Sequence, residues 1–556
     1  MPSPSATASD TPATVTDHVA VFPFDHDHGV PARTLADLLG GKGAGLAEMT
    51  SALELPVPPG FTITVGTCRR YLSEGWPTEL DALVAEHVGA LGRVLGRRFG
   101  DAGDPLLLAV RSGAPRSMPG MLDTVLNLGL NDETVEGLAR VSGDPRFAWD
   151  CYRRFVRMYA TTVLGVAPAT LGDEAPADDV AGVRAEIARV RGTVEIPADP
   201  QAQLRGAVEA VFRSCGSDRA RAYAQREKLA GALATAVNVQ AMVFGNRGGE
   251  SGTGVVFTRD PATGEARRYG DYLPRAQGED VVSGTARTQP IDTLRAELPA
   301  VWEHLDTVLG RLEHHYADIC DVEFTVEQGR LWVLQTRVGK RSAVAAVRAA
   351  VQMAEEADSP LTREQAVERV DAEVRTTARQ AVLAAAATQQ RGDAIAHGLG
   401  ASPGRVTGKA VFSSDEAADA GDDEELVLIR PETSPEDVPG MAVSVGVVTG
   451  TGGLVSHAAV VARGWGLPAV VGAEDLVVTA EGARTADGLH TIAPGDLVTL
   501  DGTTGEIWLG GDPAAAEGGT VDEEAVLAQH LPELAVLESW SASVSHSGAA
   551  GAVVAE

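Results

Sequence analysis

The sequence predicts a multidomain protein of mixed α/β and α+β class, and three observations predict it. At 556 residues the chain is too long for one hydrophobic core, so length suggests three to five domains. Stretches with strand-like alternation and Gly/Pro punctuation exchange more than once with stretches of helical period. A β-rich unit, residues 396–512, is set apart by an Ala/Glu/Arg-rich segment of helical period.

Taken in order, residues 1–19 lack a basic segment followed by an apolar block, so they read as a disordered tail and not as a signal peptide. Residues 20–130 alternate short apolar runs with turns, as in "LPVPPGFTITVGT", and read as α/β. Residues 131–235 are mainly helical, since "FAWDCYRRFVRMYATTV" and "QAQLRGAVEAVFRSC" place apolar residues at i, i+3 and i+4. Strands return over 236–340, in "AVNVQAMVF", "GVVFTRD" and "CDVEFTVEQGRLWVLQTR". Residues 341–395 read as a helical linker. The unit over 396–512 carries Gly/Pro turns and ends in "PGDLVTLDGTTGEIWLGG"; residues 513–556 read as one short helix and a flexible tail.

The formal net charge of −31 argues against a nucleic-acid partner, because no basic footprint is present. No apolar run approaches the roughly 18–20 residues of a membrane helix. Cys68, Cys151, Cys215 and Cys320 are far apart with no C-x-x-C, so neither a zinc site nor a disulfide framework is indicated and a reducing cytoplasm is the simplest setting. An acidic protein that handles an anionic substrate must do so with local cations, and these sit in glycine-rich stretches.

"LLGGKGAGLAEMT" (residues 38–50) surrounds Lys42 with glycines ahead of a helical pattern, a loop in which backbone N–H groups and an ammonium can meet phosphate oxygens. It lacks Walker A spacing, and a plain turn fits it as well. Arg111 follows a short apolar run in "VRSGAPRSMPGMLDTVLNLGL", where it can clamp phosphate or simply be solvated. "GNRGGESGTGVVFTRDPATGE" places Gly252, Thr253 and Gly254 in a side-chain-poor stretch that fits over a triphosphate or forms a flexible hairpin.

In "CDVEFTVEQGRLWVLQTR" alternation puts Asp321 and Glu323 on one strand face. "EQG" suggests a three-residue hairpin loop with Gly329 left-handed. That loop pairs Val326 with Arg330, Glu323 with Val333 and Asp321 with Gln335, so Asp321, Glu323, Gln335 and Arg337 share a face. A two-residue loop would put Gln335 opposite both carboxylates. Two carboxylates and an amide oxygen suit Mg²⁺; a hairpin with a polar solvent face explains the pattern equally.

Together these stretches, with "AQGEDVVSGTART" and "DVEFTVEQGRLWVLQTRVGKR", resemble in order the nucleotide-binding half of the pyruvate, phosphate dikinase family over roughly residues 20–395. The resemblance implies an ATP-grasp domain over 20–340 with a helical insertion at about 131–235. It implies that Lys42 and Arg111 hold ATP phosphates and that Arg337 sits beside them. Glu279 of "QGED" would lie in the nucleotide cleft. Asp321, Glu323 and Gln335 would hold Mg²⁺ and nucleotide.

His457 in "TGGLVSHAAVVARGWGLPAVVG" follows Gly452-Gly453 and Ser456, and Ser456 is a good N-cap for a helix ending at Gly466 and Pro468. Imidazole is a nucleophile, and a helix N-terminus stabilises the anionic group it would carry. Most histidines are packed or solvated. Here the pattern resembles the swivelling phosphohistidine domain of phosphoenolpyruvate-utilising enzymes, supported by "GASPGRVTGKAVF" and "GDLVTLDGTTGEIWLG". The implied chemistry is ATP- and phosphate-dependent phosphorylation of His457, giving AMP and pyrophosphate.

Two departures stand out. Val455 occupies the position of a regulatory threonine in plant members, and the C-terminal barrel that binds pyruvate and phosphoenolpyruvate is expected to be a separate chain or lost. The alternatives are a dikinase-type phosphotransferase acting on another small molecule and a degenerate nucleotide-binding regulatory protein. Oligomeric state stays open, a homodimer included. "FDHDHG" reads as a loop without metal partners for His26 and His28.

Overall fold

Short strands, most of them buried on both faces, build two five-stranded antiparallel sheets, each with its own core. The computed structural model describes residues 18–550 apart from 117–122, 218–219, 222–233, 283–287, 360, 388–393, 421–423, 455 and 512–521. Most of the tail expected over 1–19, and the Val455 position, therefore lie outside the described residues. The first sheet runs Val21–Pro23, Gly60–Ile63, Ala236–Ala241, Leu108–Gly113, Thr124–Leu128. Helices between Thr134 and Ser214 complete its core; Phe147, Cys151 and Phe155 of the helix Pro145–Met158 are buried there with Val110 and Val239. That helix starts where Asp144 accepts the N–H groups of Arg146 and Phe147 ahead of Pro145.

The second sheet runs Gln289–Pro290, Tyr269–Pro274, Gly252–Phe257, Cys320–Glu327, Arg330–Val338. Gly252, Thr253 and Gly254, expected in a loop, are strand residues. The two glycines make room for rings: a Cβ on Gly252 would meet the Tyr272 ring at 2.6 Å and one on Gly254 the Phe324 ring at 2.6 Å. Close packing thus accounts for these two glycines.

The hairpin differs from expectation in an instructive way. Its loop is the two-residue Gln328–Gly329, with φ of 50° and 75°, so Glu327 pairs with Arg330. Left alone, this register would separate Gln335 from the carboxylates. A bulge at Leu334 shifts it back, so that Phe324 pairs with Val333 but Glu323 with Gln335 and Asp321 with Arg337. The four polar residues share a face because of a bulge, not because of a three-residue loop.

Residues 343–387 supply the helices Ala343–Glu355, Arg363–Arg369 and Ala372–Ala387, which pack on Val255 and Phe257 of the second sheet. The tail expected to be flexible joins them. Helices Glu523–His530 and Pro532–Ala550 bury Leu527, Leu531, Leu534, Leu537 and Trp540 in the same cluster, and Glu533 and Glu538 pair with Arg348 and Arg379. An Ala/Ser-rich composition masked a leucine spacing of three to four residues, the helical signal that was missed.

The last unit has an eight-stranded sheet whose middle strands Arg405–Val411, Leu426–Arg430, Gly446–Thr449 and Ala469–Val471 are parallel. The helix His457–Trp465 crosses between the last two and stops at Gly466 in the left-handed conformation. Among the described residues, no helix is long and apolar enough to cross a membrane.

Candidate active site

Lys42 is placed by a backbone break. The helix Ala36–Ala47 kinks at Gly40, with φ 69° and ψ 159°, so Lys42 lies in the first turn after the kink and not in a free loop. A Cβ on Gly40 would stand 1.7 Å from the Gly113 carbonyl oxygen; only glycine lets the kink seat against the end of the Arg111 strand. Gly41 N–H then donates to the Ala114 carbonyl at 2.8 Å.

Arg111 reaches from the first sheet to the second. One Nη donates to Glu323 Oε2 at 2.8 Å and the other to the Leu334 carbonyl at 3.2 Å, the group the bulge turns out of the ladder. Arg337 Nε donates to Asp321 Oδ2 at 2.7 Å. Burial and the neighbouring Arg111 depress Lys42 strongly, with Glu323 opposing and Arg337 adding, to about 7. Burial works to raise the Glu323 carboxyl, but Arg111, Lys42 and Arg337 outweigh it and hold it below its usual range. Asp321 is raised, because burial exceeds what Arg337 returns.

The remaining valences on this face are oxygens. Asp321 Oδ1 and Gln335 Oε1 are both buried without a hydrogen-bond partner among the described residues. Such groups are costly unless a cation or donor meets them. With the Glu323 carboxylate they form an all-oxygen donor set that fits a hard divalent ion. Among the described residues no group of three His, Cys, Asp or Glu could hold a metal, so any ion here would need the amide or the substrate's own oxygens.

The sheets and the His457 unit enclose one cleft of about 810 Å³. Its walls include Lys42, Arg111, Thr253, Gly254, Glu279, Asp321, Glu323, Gln335, Arg337 and His457, which are candidates from every part of the sequence. Gly252 is not on the wall. The Thr253 hydroxyl is spent within the sheet, donating to the Phe324 carbonyl at 3.0 Å.

His457 enters from the first turn of its helix. Burial lowers it to about 4, against the opposing pull of Asp437 and Glu436, so the imidazole is neutral near pH 7. Among the described residues, neither ring nitrogen has a hydrogen-bond partner. Ser456 stands at the N-cap as expected, but its side chain makes no cap bond and its Oγ is buried without a partner. Thr433 Oγ1 is another such atom, 5 % exposed, from the loop that places Glu432, Thr433 and Ser434 on the cleft wall. Sequence reasoning passed over this loop; its signal was a polar run between Pro431 and Pro435 directly after an apolar strand. A neutral nucleophile in the first turn of a helix, with two hydroxyls that have no partner among the described residues, makes a place where a phosphoryl group could be received.

Two family models match the chain: the AMP/ATP-binding domain of pyruvate phosphate dikinase, over residues 36–90, 76–302 and 292–358, and the mobile domain of PEP-utilising enzymes, over 422–505. Curated relatives include the pyruvate, phosphate dikinase of Rhizobium meliloti, 44 % identical over 511 residues, covering 86 % of this chain and 56 % of the relative. That of Clostridium symbiosum is 44 % identical over 499 residues, covering 86 % and 57 %. The chloroplastic enzyme of Mesembryanthemum crystallinum is 42 % identical over 532 residues, covering 91 % and 55 %. The chain spans about half the length of the curated relatives it matches.

Proposed function

Because the chain belongs to the pyruvate phosphate dikinase family, we propose that it is a phosphotransferase that uses ATP and phosphate to phosphorylate His457, releasing AMP and pyrophosphate. The observation that carries this reading is the shared cleft: His457 lines the same wall as Lys42, Arg111, Glu323 and Gln335. The first two sheets act as an ATP-grasp domain over 20–340. Residues 396–512 act as the swivelling carrier, with 341–395 as the linker between them.

The neutral imidazole attacks the β-phosphorus, the α–β bridging bond breaks and AMP leaves. Inorganic phosphate then takes the outer phosphoryl group as pyrophosphate, leaving one phosphoryl on His457. Lys42, Arg111 and Arg337 hold the phosphate oxygens, and catalysis is positioning and charge neutralisation. Asp321, Glu323 and Gln335, with the nucleotide, would hold Mg²⁺, which would neutralise charge at the phosphates. The Thr433 and Ser456 hydroxyls and the helix N–H groups receive the transferred group. Transfer onward to pyruvate, which the relatives' names support, is proposed to occur at a barrel site that receives the same His457 face, on a separate chain or on the same polypeptide. A reducing cytoplasm is the proposed setting, in keeping with four cysteines spread far apart in the sequence.

Incubation with ATP, Mg²⁺ and phosphate should add the mass of one phosphoryl group to the peptide containing His457, with equimolar AMP. Release of ADP instead of AMP would contradict the proposed bond cleavage.

The depressed Lys42 gives a pH prediction. In the free protein the ammonium is lost as pH rises through about 7, while bound triphosphate favours the charged form. ATP binding should therefore take up a proton at pH 8 and little at pH 6, and ATP affinity should fall above pH 7. Calorimetry in buffers of different ionisation enthalpy measures the uptake; buffer-independent heats at pH 8 would contradict it.

A further inference from the structure

Cys68 and Cys215 are distant in the sequence and adjacent in the fold. Cys68 lies near the start of the helix Val65–Glu74, and Cys215 caps the end of the helix Pro200–Ser214. The two thiols are hydrogen-bonded to each other. One turn after Cys68 the Tyr71 ring stands 5.2 Å from that of Phe212, one turn before Cys215. Beside this ring pair an Arg213 Nη donates to the Tyr71 hydroxyl at 3.2 Å. These contacts set the two helices antiparallel, with residue 68 opposite residue 215. Both cysteines are buried in the core of the first sheet, 0 % and 2 % exposed. The other two thiols have different neighbours. Cys151 Sγ faces the side-chain amides of Asn246 and Gln277, and Cys320 Sγ the carbonyls of Leu312 and Asp318.

The pair is polarised. The Cys215 S–H donates to Cys68, and this bond is the largest influence on the Cys68 thiol; burial opposes it, the Thr235 backbone and Arg69 add to it, and Cys68 is held below its ordinary value. Cys215 is raised, first by the bond to Cys68 and then by burial. Cys68 is therefore the attacking sulfur and Cys215 the resolving one. Cys215 ends its helix, where the backbone ladder stops and local opening admits small solutes most readily. The pair also stands behind the cleft. Thr235 directly precedes the strand Ala236–Ala241, and its Oγ1 accepts the Gly113 N–H at 2.9 Å. Gly113 is the residue on which the Gly40 kink seats, and a Cβ on it would lie 3.5 Å from Lys42 Cβ. A shift of Thr235 thus reaches Lys42 through one residue.

We propose that Cys68 and Cys215 are a redox-modification site: a peroxide oxidises them to a disulfide that draws the two helices together, displaces Thr235 and slows phosphoryl uptake at the cleft. The last of these effects rests on the phosphotransferase reading. The Cys68 sulfur attacks one peroxide oxygen, the O–O bond breaks, and water leaves with a sulfenic acid on Cys68. The Cys215 sulfur attacks that sulfenic sulfur, the S–O bond breaks, and a second water leaves. The two thiols lose two electrons to the peroxide, and their two protons end in the two waters. A dithiol reductant reverses the bond by exchange. Replacing a non-bonded contact of two sulfurs by a bond requires the two helix segments to approach.

The test treats the full chain with hydrogen peroxide, blocks remaining thiols with an alkylating reagent in denaturant, and maps the peptides without reduction. The expected result is a Cys68–Cys215 linked peptide, with Cys151 and Cys320 alkylated. Phosphoryl uptake from ATP by the oxidised protein should slow by about tenfold or more, the scale on which small misplacements of positioned groups act, and recover on reduction. Cys215→Ala should take up label at the unaltered rate and keep that rate after peroxide. Absence of the linked peptide, a link through Cys151 or Cys320 instead, or an equal loss of uptake in Cys215→Ala would overturn the proposal. So would a linked protein that labels at the full rate. Should Cys215→Ala not fold, Cys68→Ala makes the same comparison. Failure of the phosphotransferase reading looks different: the reduced chain would take up no label while the linked peptide still formed, which would uphold the site and strike the effect on uptake.

Discussion

Replacing His457 with asparagine is expected to reduce phosphoryl uptake from ATP by roughly four orders of magnitude or more, as removal of a reacting nucleophile does. Asparagine keeps a polar group of similar reach but offers no nucleophilic nitrogen. The residue as a whole is half-buried, and its two ring nitrogens, although covered, make no hydrogen bond that the fold would lose, so stability should change little. Folding is checked by thermal denaturation and uptake by acid-labile, base-stable label. Retained label of that kind on the His457→Asn protein would place the acceptor elsewhere.

The second large effect concerns Glu323. Its carboxylate is paired with Arg111 and is one of the oxygens available to a divalent ion. Glu323→Ala should slow labelling by about 10²–10³-fold, the range for deleting one preorganised electrostatic group. Two losses combine. Arg111 is freed from its anchor at 2.8 Å. Lys42 loses the one neighbour that raises it, so more of it is neutral at pH 7. Gln335→Ala, which removes a neutral oxygen, should cost less, about tenfold to a hundredfold. Single-turnover labelling of the folded variants gives both values; unchanged rates in both would mean that this hairpin face does not handle substrate.

Much of the cleft was legible because its chemistry is local. Lys42 among glycines, two carboxylates at i and i+2, and a histidine opening a short helix each carry their signal within a few residues. What was not legible depends on packing across the chain. The Leu334 bulge leaves no local mark in the sequence, so the three-residue loop stood as the way to bring Gln335 to the face of the carboxylates, whereas the pairing reaches that face with a two-residue loop and a shifted register. Gly252 and Gly254 suggested a flexible phosphate loop, yet their bareness answers the Tyr272 and Phe324 rings, one of them more than 60 residues away. The final helices were hidden by Ala, Ser and Glu around four leucines and a tryptophan that find their partners some 170 residues earlier in the chain. The ion pairs from Arg154 of the helix Pro145–Met158 to Glu279 and Asp280 span 125 and 126 residues of sequence, so nothing local announced them.

The central claim is that His457 receives the β-phosphoryl group of ATP within the cleft lined by Lys42, Arg111, Glu323 and Gln335. It is tested most directly by incubating the protein with Mg²⁺, phosphate and ATP labelled in either the β or the γ position. The account predicts acid-labile label on His457 from β-labelled ATP, with γ-label recovered in pyrophosphate. Label on His457 from the γ position after phosphate has been supplied, or from neither, would contradict it.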